Sequence, residues 1–168
     1  MMIEIALEAD EEWDSSGLWV ELAHRAAEAA IAESAFPQIA TSLCPAQISV
    51  LLTGDEQVRA LNDQWRGKDR PTNVLSFPMA DPAEFSRTTL AGLELLLGDI
   101  IIARGICEAE AAEKGITLED HATHLLVHGT LHLLGYDHVD NEEADDMEAR
   151  EIRALRRLGI ANPYAVTS

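Results

Sequence analysis

Five of the six histidines lie between residues 121 and 138, and three of them have the spacing of a metal site. His128 and His132 are four residues apart, so on a helix they share one face, with Cβ atoms about 5–6 Å apart. Gly135 can end that helix in a left-handed conformation, and the returning chain can bring His138 to the same point. Three converging imidazoles leave the fourth position of a tetrahedral zinc open, which is typical of a catalytic site. We therefore predict one metal ion per chain, bound by His128, His132 and His138. Zn²⁺ is the first choice from the ligand type, although imidazole sites also accept nickel, copper or iron.

The spacing H-x-x-x-H-x-x-G-x-x-H is that of the zinc peptidase motif, with one part missing. Those peptidases have a glutamate general base directly after the first histidine, whereas this chain has Gly129 at that position. The sequence therefore disfavours peptide hydrolysis by that mechanism.

Three more polar residues lie close to the predicted ligands. His121 and His124 extend the same helix face upstream, seven and four residues before His128. They could be partners of the ligands, substrate contacts or plain surface residues. Asp137 could orient a histidine or accept a proton, although an acid beside a turn is also ordinary.

The elements that must position these residues follow from the hydrophobic pattern. Alternating or continuous apolar runs predict strands at 3–7, 47–52, 73–77 and 95–103. Helical patterns cover residues 18–34, 104–114, 118–134 and 141–158, and a further helix carries Val58, Leu61 and Trp65 with Asp55 as its predicted N-cap. This order predicts a single α/β domain over residues 1–168, with a mixed four-stranded sheet, about five helices and the metal site at a helix C-terminal end.

Composition places the chain among ordinary globular proteins, since 47% of its 168 residues are hydrophobic and 25% are charged. No apolar run approaches the roughly 20 residues that span a bilayer, the N-terminus has no signal-peptide pattern, and two cysteines make no disulfide framework. We therefore expect a cytoplasmic protein without a membrane partner. The net charge of −18 repels polyanions, but residues 59–70 carry four bases and two acids, which allows a local anion site.

Three segments together identify a family resemblance. Residues 128–138 resemble the signature of the YbeY family, bacterial metal-dependent endoribonucleases that act in ribosomal RNA maturation. Residues 61–78 resemble its L-N-x-x-[YW]-R-x-x-x-x-P-T-D-V-L-S-F-P block, with Asn73 in place of the usual aspartate, and residues 97–103 resemble its L-G-D-I block. The last helix of the family is also matched, by Met147, Glu148, Glu151, Leu158 and Gly159, whereas residues 1–40 contribute little to the resemblance.

The resemblance implies a single-strand-specific endoribonuclease that acts in maturation of the small-subunit rRNA 3′ end and in ribosome quality control. It places Arg66 near the metal, where a guanidinium suits the extra negative charge of a phosphorane. Lys68 and Arg70 would then hold flanking phosphates and Ser76 would hydrogen-bond the substrate. Single-stranded or ribosomal RNA is the implied substrate, with small-subunit ribosomal proteins or an assembly GTPase as partners.

Two alternatives to this function remain open at the level of sequence. One is a metallohydrolase of another substrate, which the histidine spacing favours and the missing glutamate opposes. The other is a ribosome assembly factor whose zinc is mainly structural, which an open metal position opposes. Asp99, an acid in an apolar strand, is either a structural anchor or part of the active cleft, because an unpaired buried carboxylate is costly.

Overall fold

The computed structural model describes residues 3–11, 13, 17–41, 45–81, 85, 95–137 and 139–164. Within them the chain forms four strands, five α-helices and a short 3₁₀ segment, Pro37–Thr41. The strands and helices, in chain order, are β1 (Ile3–Ala9), α1 (Leu18–Ala32), β2 (Ala46–Thr53), α2 (Asp55–Arg66), β3 (Val74–Pro78), β4 (Leu95–Ala103), α3 (Arg104–Lys114), α4 (Leu118–Leu133) and α5 (Asn141–Arg157).

The strands form one mixed sheet in the order β1-β2-β4-β3. β1, β2 and β4 run parallel, and β3 pairs antiparallel with β4, so that Ser76 lies opposite Ile100. β4 is a central strand and is buried along nearly its whole length, which explains its continuous apolar run. The prediction of a single α/β domain with a mixed four-stranded sheet and five helices is confirmed.

Helices cover the two faces of this sheet unequally. Because side chains alternate between faces along a strand, Ile100 and Ile102 join the main core with α1, α4 and α5, whereas Leu75 and Ile101 join a smaller cluster with Val58 of α2. α4 lies in the middle of the larger layer, and eleven of its sixteen residues are buried. The histidine-bearing helix is therefore fixed by packing on most of its sides. No helix in the described part of the chain has the length and apolar character of a membrane span.

The prediction that Asp55 caps α2 is wrong. Gly54 is the N-cap residue and provides no side chain, while Asp55 is the first residue of the helix. Its carboxylate instead accepts a hydrogen bond from the backbone N–H of Ile106, 3.1 Å away, in the first turn of α3. An acid close to the start of one helix thus satisfies an unpaired donor at the start of another.

Candidate active site

The last turn of α4 and the turn after it place His128 and His132. α4 begins at Thr117, whose hydroxyl accepts the N–H of Asp120, and acidic residues in its first turn favour the positive end of the helix. At the other end Gly135 has a φ of 99°, and the backbone folds back so that the N–H of Tyr136 reaches the carbonyl of Leu131. The helix end predicted from Gly135 is therefore present.

The two histidines face each other through their Nε2 atoms, which lie 3.0 Å apart. Nδ1 of His132 lies 2.8 Å from the carbonyl oxygen of Tyr136. A carbonyl only accepts, so this Nδ1 carries the proton and Nε2 of a neutral ring carries the lone pair. Nδ1 of His128 contacts the carboxylate of Glu151 in the same way. Both Nε2 lone pairs therefore point into the same space.

This donor set fits a bound metal cation. Two lone pairs at 3.0 Å repel each other unless a proton or a cation lies between them. A tetrahedral zinc with Zn–N bonds of 2.0–2.1 Å separates two ligand nitrogens by about 3.3–3.4 Å, close to the distance observed. His138 lies outside the described residues, and those that are described contain no group of three His, Cys, Asp or Glu able to hold a metal. The third ligand and the metal itself stay predictions.

The buried carboxylate of Glu151 is the main electrostatic feature behind the histidines. Burial raises its pKa, but hydrogen bonds from His124, His128 and Tyr164 outweigh that effect and lower it to about 2. Glu151 is therefore a permanent anion beside His128. The role of Glu151 was not predicted, although the sequence contains a signal for it. Glu151 lies on the same face of α5 as Met147, Ala154 and Leu155, and an acid among buried apolar residues requires a partner.

A cleft of about 610 Å³ opens in front of the two histidines. Its walls come from the end of α2, from β3 with the segment before it, and from the end of α4. They consist of Arg66, Thr72, Asn73, Val74, Ser76, Pro78, His128, His132, Gly135, Tyr136 and Asp137. The structure thus brings together four of the predicted site residues, Arg66, Ser76, His128 and His132, which the chain separates by up to 66 positions.

Arg66 is held against β3 at the mouth of this cleft. It is the last residue of α2, because Gly67 adopts a left-handed conformation there with a φ of 67°. One guanidinium nitrogen donates to the backbone carbonyl of Ser76 at 3.0 Å, and the guanidinium carbon lies 5.6 Å from the centre of the Phe77 ring. These contacts use only part of the five donors of an arginine.

Ser76, which lines the cleft, packs against Gly129 of α4. The Ser76 hydroxyl is buried without a hydrogen-bond partner among the described residues. A Cβ atom on Gly129 would lie 3.1 Å from that oxygen and 3.0 Å from a methyl group of Ile100. A side chain at the position that carries the glutamate in zinc peptidases would therefore require these neighbours to shift by a few tenths of an ångström.

Lys68 and Arg70 are exposed residues of the loop between α2 and β3 and do not belong to the cleft lining among the described residues. Asn73 does line the cleft. Its carbonyl oxygen accepts the N–H of Val74, and its NH₂ group donates to Glu110 at 3.1 Å. An ionised aspartate at this position would repel Glu110, so the departure from the family pattern matches the local charge.

His121 and His124 are buried, so the structure excludes the surface alternative for both. His121 Nε2 lies 2.8 Å from Glu110, and burial lowers the pKa of its imidazole despite that carboxylate. His124 Nε2 lies 3.4 Å from Glu151. Neither lines the cleft. Asp99 lies elsewhere, in a second cavity of about 540 Å³ beside α2, so its placement favours the structural alternative.

Comparison with known proteins decides the family. The family model described as "Endoribonuclease YbeY" matches residues 8–159. The protein of that name from Rhizorhabdus wittichii is 51% identical over 168 residues, covering 99% of each chain, and that from Novosphingobium aromaticivorans is 49% identical over 96% of each. The chain belongs to the YbeY endoribonuclease family. The predicted resemblance is thereby confirmed.

A solved structure supports the fold as well. The solution structure of TM1509 from Thermotoga maritima aligns with a TM-score of 0.55 at 26% identity, covering 94% of this chain and 92% of that one. Membership of the YbeY family assigns the chain to the nucleases that cut RNA internally.

Proposed function

We propose that this protein is a zinc-dependent endoribonuclease that cuts single-stranded RNA in the cleft between β3 and α4. The observation that carries the proposal is the approach of the His128 and His132 Nε2 atoms to 3.0 Å inside a cleft that Arg66 also lines. A divalent cation and a guanidinium facing one cavity are suited to a phosphodiester, whose transition state gains negative charge.

His128 and His132 would hold the metal, together with His138 as the predicted third ligand. Neutral imidazoles leave the cation its full charge, and a zinc there supplies a Lewis acid for a phosphoryl oxygen and lowers the pKa of water to about 7. The Nδ1 contacts to Tyr136 and Glu151 keep both rings in the tautomer that presents Nε2.

The remaining cleft residues bind and orient the RNA. Contacts to Ser76 and Phe77 hold the Arg66 side chain in place. Its remaining donors would therefore bind a phosphate with little further loss of side-chain entropy. The Ser76 hydroxyl is buried and has no partner among the described residues, so a rotation toward the cleft would let it donate to a substrate oxygen. Lys68 and Arg70 would contact flanking phosphates from the edge of the cleft.

The test measures zinc content and cleavage of a single-stranded RNA on the same preparations. The wild type should hold one zinc per chain and cut, whereas His132→Ala should lose both. His24→Ala is the matched control, because His24 lies on α1 and contacts the backbone of Ile3 rather than the cleft. Loss of zinc with unchanged cleavage in His132→Ala would show that the nuclease activity lies elsewhere or is a contaminant, and would favour an assembly factor braced by zinc.

Arg66 can be tested separately from the metal. Arg66→Ala should keep its zinc but lower kcat by about 10²–10³-fold, the range for loss of one donor to a developing oxyanion. Arg59→Ala is the control on the same helix, since Arg59 is half-buried and pairs with Asp69 instead. Equal kcat in both variants would remove Arg66 from the reaction.

The cellular role proposed with this activity is maturation of the small-subunit rRNA 3′ end and ribosome quality control, in the cytoplasm, with a small-subunit protein or an assembly GTPase as partner. The net charge of −18 supports recruitment by protein, because binding to naked RNA through one cleft should be weak and salt-dependent. A precursor of the small subunit should therefore be cut faster than its free rRNA. Equal rates on both would contradict a recruiting partner.

A further inference from the structure

Glu151 joins three parts of the chain at one buried carboxylate. Glu151 is fully buried and lies on α5. One carboxylate oxygen accepts from Nδ1 of His128 on α4, and the other accepts from the hydroxyl of Tyr164, in the segment after α5. His124 approaches the second oxygen as well, with its Nε2 at 3.4 Å. Three donors from α4 and from the segment after α5 thus converge on this carboxylate.

The segment after α5 is folded so that Tyr164 reaches this point. α5 ends at Leu158, Gly159 takes a φ of 76°, and the N–H of Ile160 returns to the carbonyl of Leu155. Closer to its end, the backbone N–H of Tyr164 donates to the side chain of Asn162 at 2.8 Å. The tyrosine ring then lies edge-on to the His124 ring, with centroids 5.5 Å apart. The chain reversal therefore presents a hydroxyl to a carboxylate already in contact with His128.

We propose that Glu151 and Tyr164 are positioning residues for the metal ligand His128, with Glu151 fixing its tautomer and ring orientation and Tyr164 fixing Glu151. The inference rests on the proposed function, because it requires that His128 binds a metal through Nε2. Without the carboxylate the imidazole is free to take the other tautomer, in which Nε2 carries a proton and cannot ligate. The tyrosine hydroxyl occupies one oxygen and leaves the other to His128.

The geometry distinguishes this network from a buried ion pair that serves only the fold. Nδ1 of His128 contacts the Glu151 carboxylate, whereas Nε2 of the same ring faces His132 in the cleft. The carboxylate therefore orients the ring nitrogen that points to the predicted metal position. A cavity of about 270 Å³ lies on this side of His128, lined by Glu151 and Tyr164 among others.

The test measures zinc affinity by competition with a chelator, on full-length protein at one neutral pH. Glu151→Gln should weaken zinc binding by about 10–100-fold, the usual effect of removing the partner of a ligand histidine. Tyr164→Phe keeps the ring and loses one hydrogen bond, so its affinity should fall by roughly 2–10-fold. Glu142→Gln, which removes an exposed acid from the first turn of α5, should leave the affinity unchanged.

A second readout separates positioning from folding. With Co²⁺ in place of zinc, the visible absorption reports ligand geometry, and its bands should shift in Glu151→Gln but not in Glu142→Gln. Folded Glu151→Gln and Tyr164→Phe with wild-type zinc affinity would overturn the inference while leaving the metal site intact. If Glu151→Gln does not fold, Tyr164→Phe decides alone. If His128→Ala binds zinc as tightly as the wild type, the metal site proposed above fails together with this inference.

Discussion

Replacing Gly129 with glutamate would supply the carboxylate that follows the first histidine in zinc peptidases, and we expect the protein to lose stability without gaining peptidase activity. A Cβ atom at this position would lie 3.0 and 3.1 Å from two carbons of Ile100 and 3.1 Å from the Ser76 hydroxyl. Overpacking of this kind costs about 1–3 kcal/mol, whereas replacing a glycine inside a helix by alanine stabilises the helix by about 1 kcal/mol. Gly129→Ala should therefore lower the free energy of unfolding by about 0–2 kcal/mol.

Gly129→Glu adds a carboxylate to the same buried position, which costs a further 1–3 kcal/mol or so when the group lacks full hydrogen bonding. The assay is urea denaturation of the wild type, Gly129→Ala and Gly129→Glu, followed by RNA and peptide cleavage at equal zinc content. The alanine variant isolates the contact from the charge. A Gly129→Glu protein as stable as the wild type that hydrolyses peptide would refute the packing argument and reopen the peptidase alternative.

Three further predictions concern other parts of the molecule. Gly98→Ala should lower the free energy of unfolding, measured with urea, by about 3 kcal/mol or more, because the φ of Gly98 is 142° and a Cβ atom would lie 2.3 Å from a β3 carbonyl oxygen. Gly67→Ala has an open Cβ position among the described residues and should lower it only by the roughly 1–2 kcal/mol of a left-handed residue. Equal costs would contradict the clash. Burial lowers the pKa of His121, so the unfolded chain takes up a proton first as the pH falls, and wild-type stability should decrease as the pH drops below about 6.5. His121→Gln should reduce this slope in the urea midpoint, and an unchanged slope would assign it to other groups. Burial raises the pKa of the Cys107 thiol to about 12. In a Cys44→Ser variant, Cys107 should therefore react with iodoacetamide only after unfolding. Rapid reaction of the folded protein would show that the Cys107 thiol is accessible.

The hydrophobic pattern alone was sufficient to predict the elements of the fold. β4 and α4 were predicted to within one residue of their observed bounds, because each is a long run of one period, although Gly98 lies within β4 and Gly129 within α4. The strand order was beyond that reasoning. Period-2 alternation says which residues share a face but not which strand is the neighbour, so the pairing of β2 with β4 rather than β3 required the structure.

The candidate site divides along the same line between local and distant contacts. The i, i+4 spacing of His128 and His132 and the turn at Gly135 are local, and the sequence predicted both. The contact between His128 and Glu151 joins two helices across 23 residues, and the approach of Arg66 to Ser76 depends on how α2 meets β3. Such contacts are set by packing, so residue types could suggest them only as candidates.

The charge of the cleft resolves the apparent conflict between an acidic protein and an anionic substrate. Among the residues that line the cleft, Arg66 is the positive group and Asp137 the negative one, while two neutral imidazoles add nothing, so the lining is formally close to neutral. A divalent cation held by His128 and His132 would make it positive by two charges in a protein whose net charge is −18. Moderate salt screens charge–charge interactions beyond about 10 Å, so a phosphate inside the cleft is affected more by the charges of the lining than by the distant acidic residues. The proposed metal would then also attract the RNA, and the acidic surface would confine that attraction to the cleft.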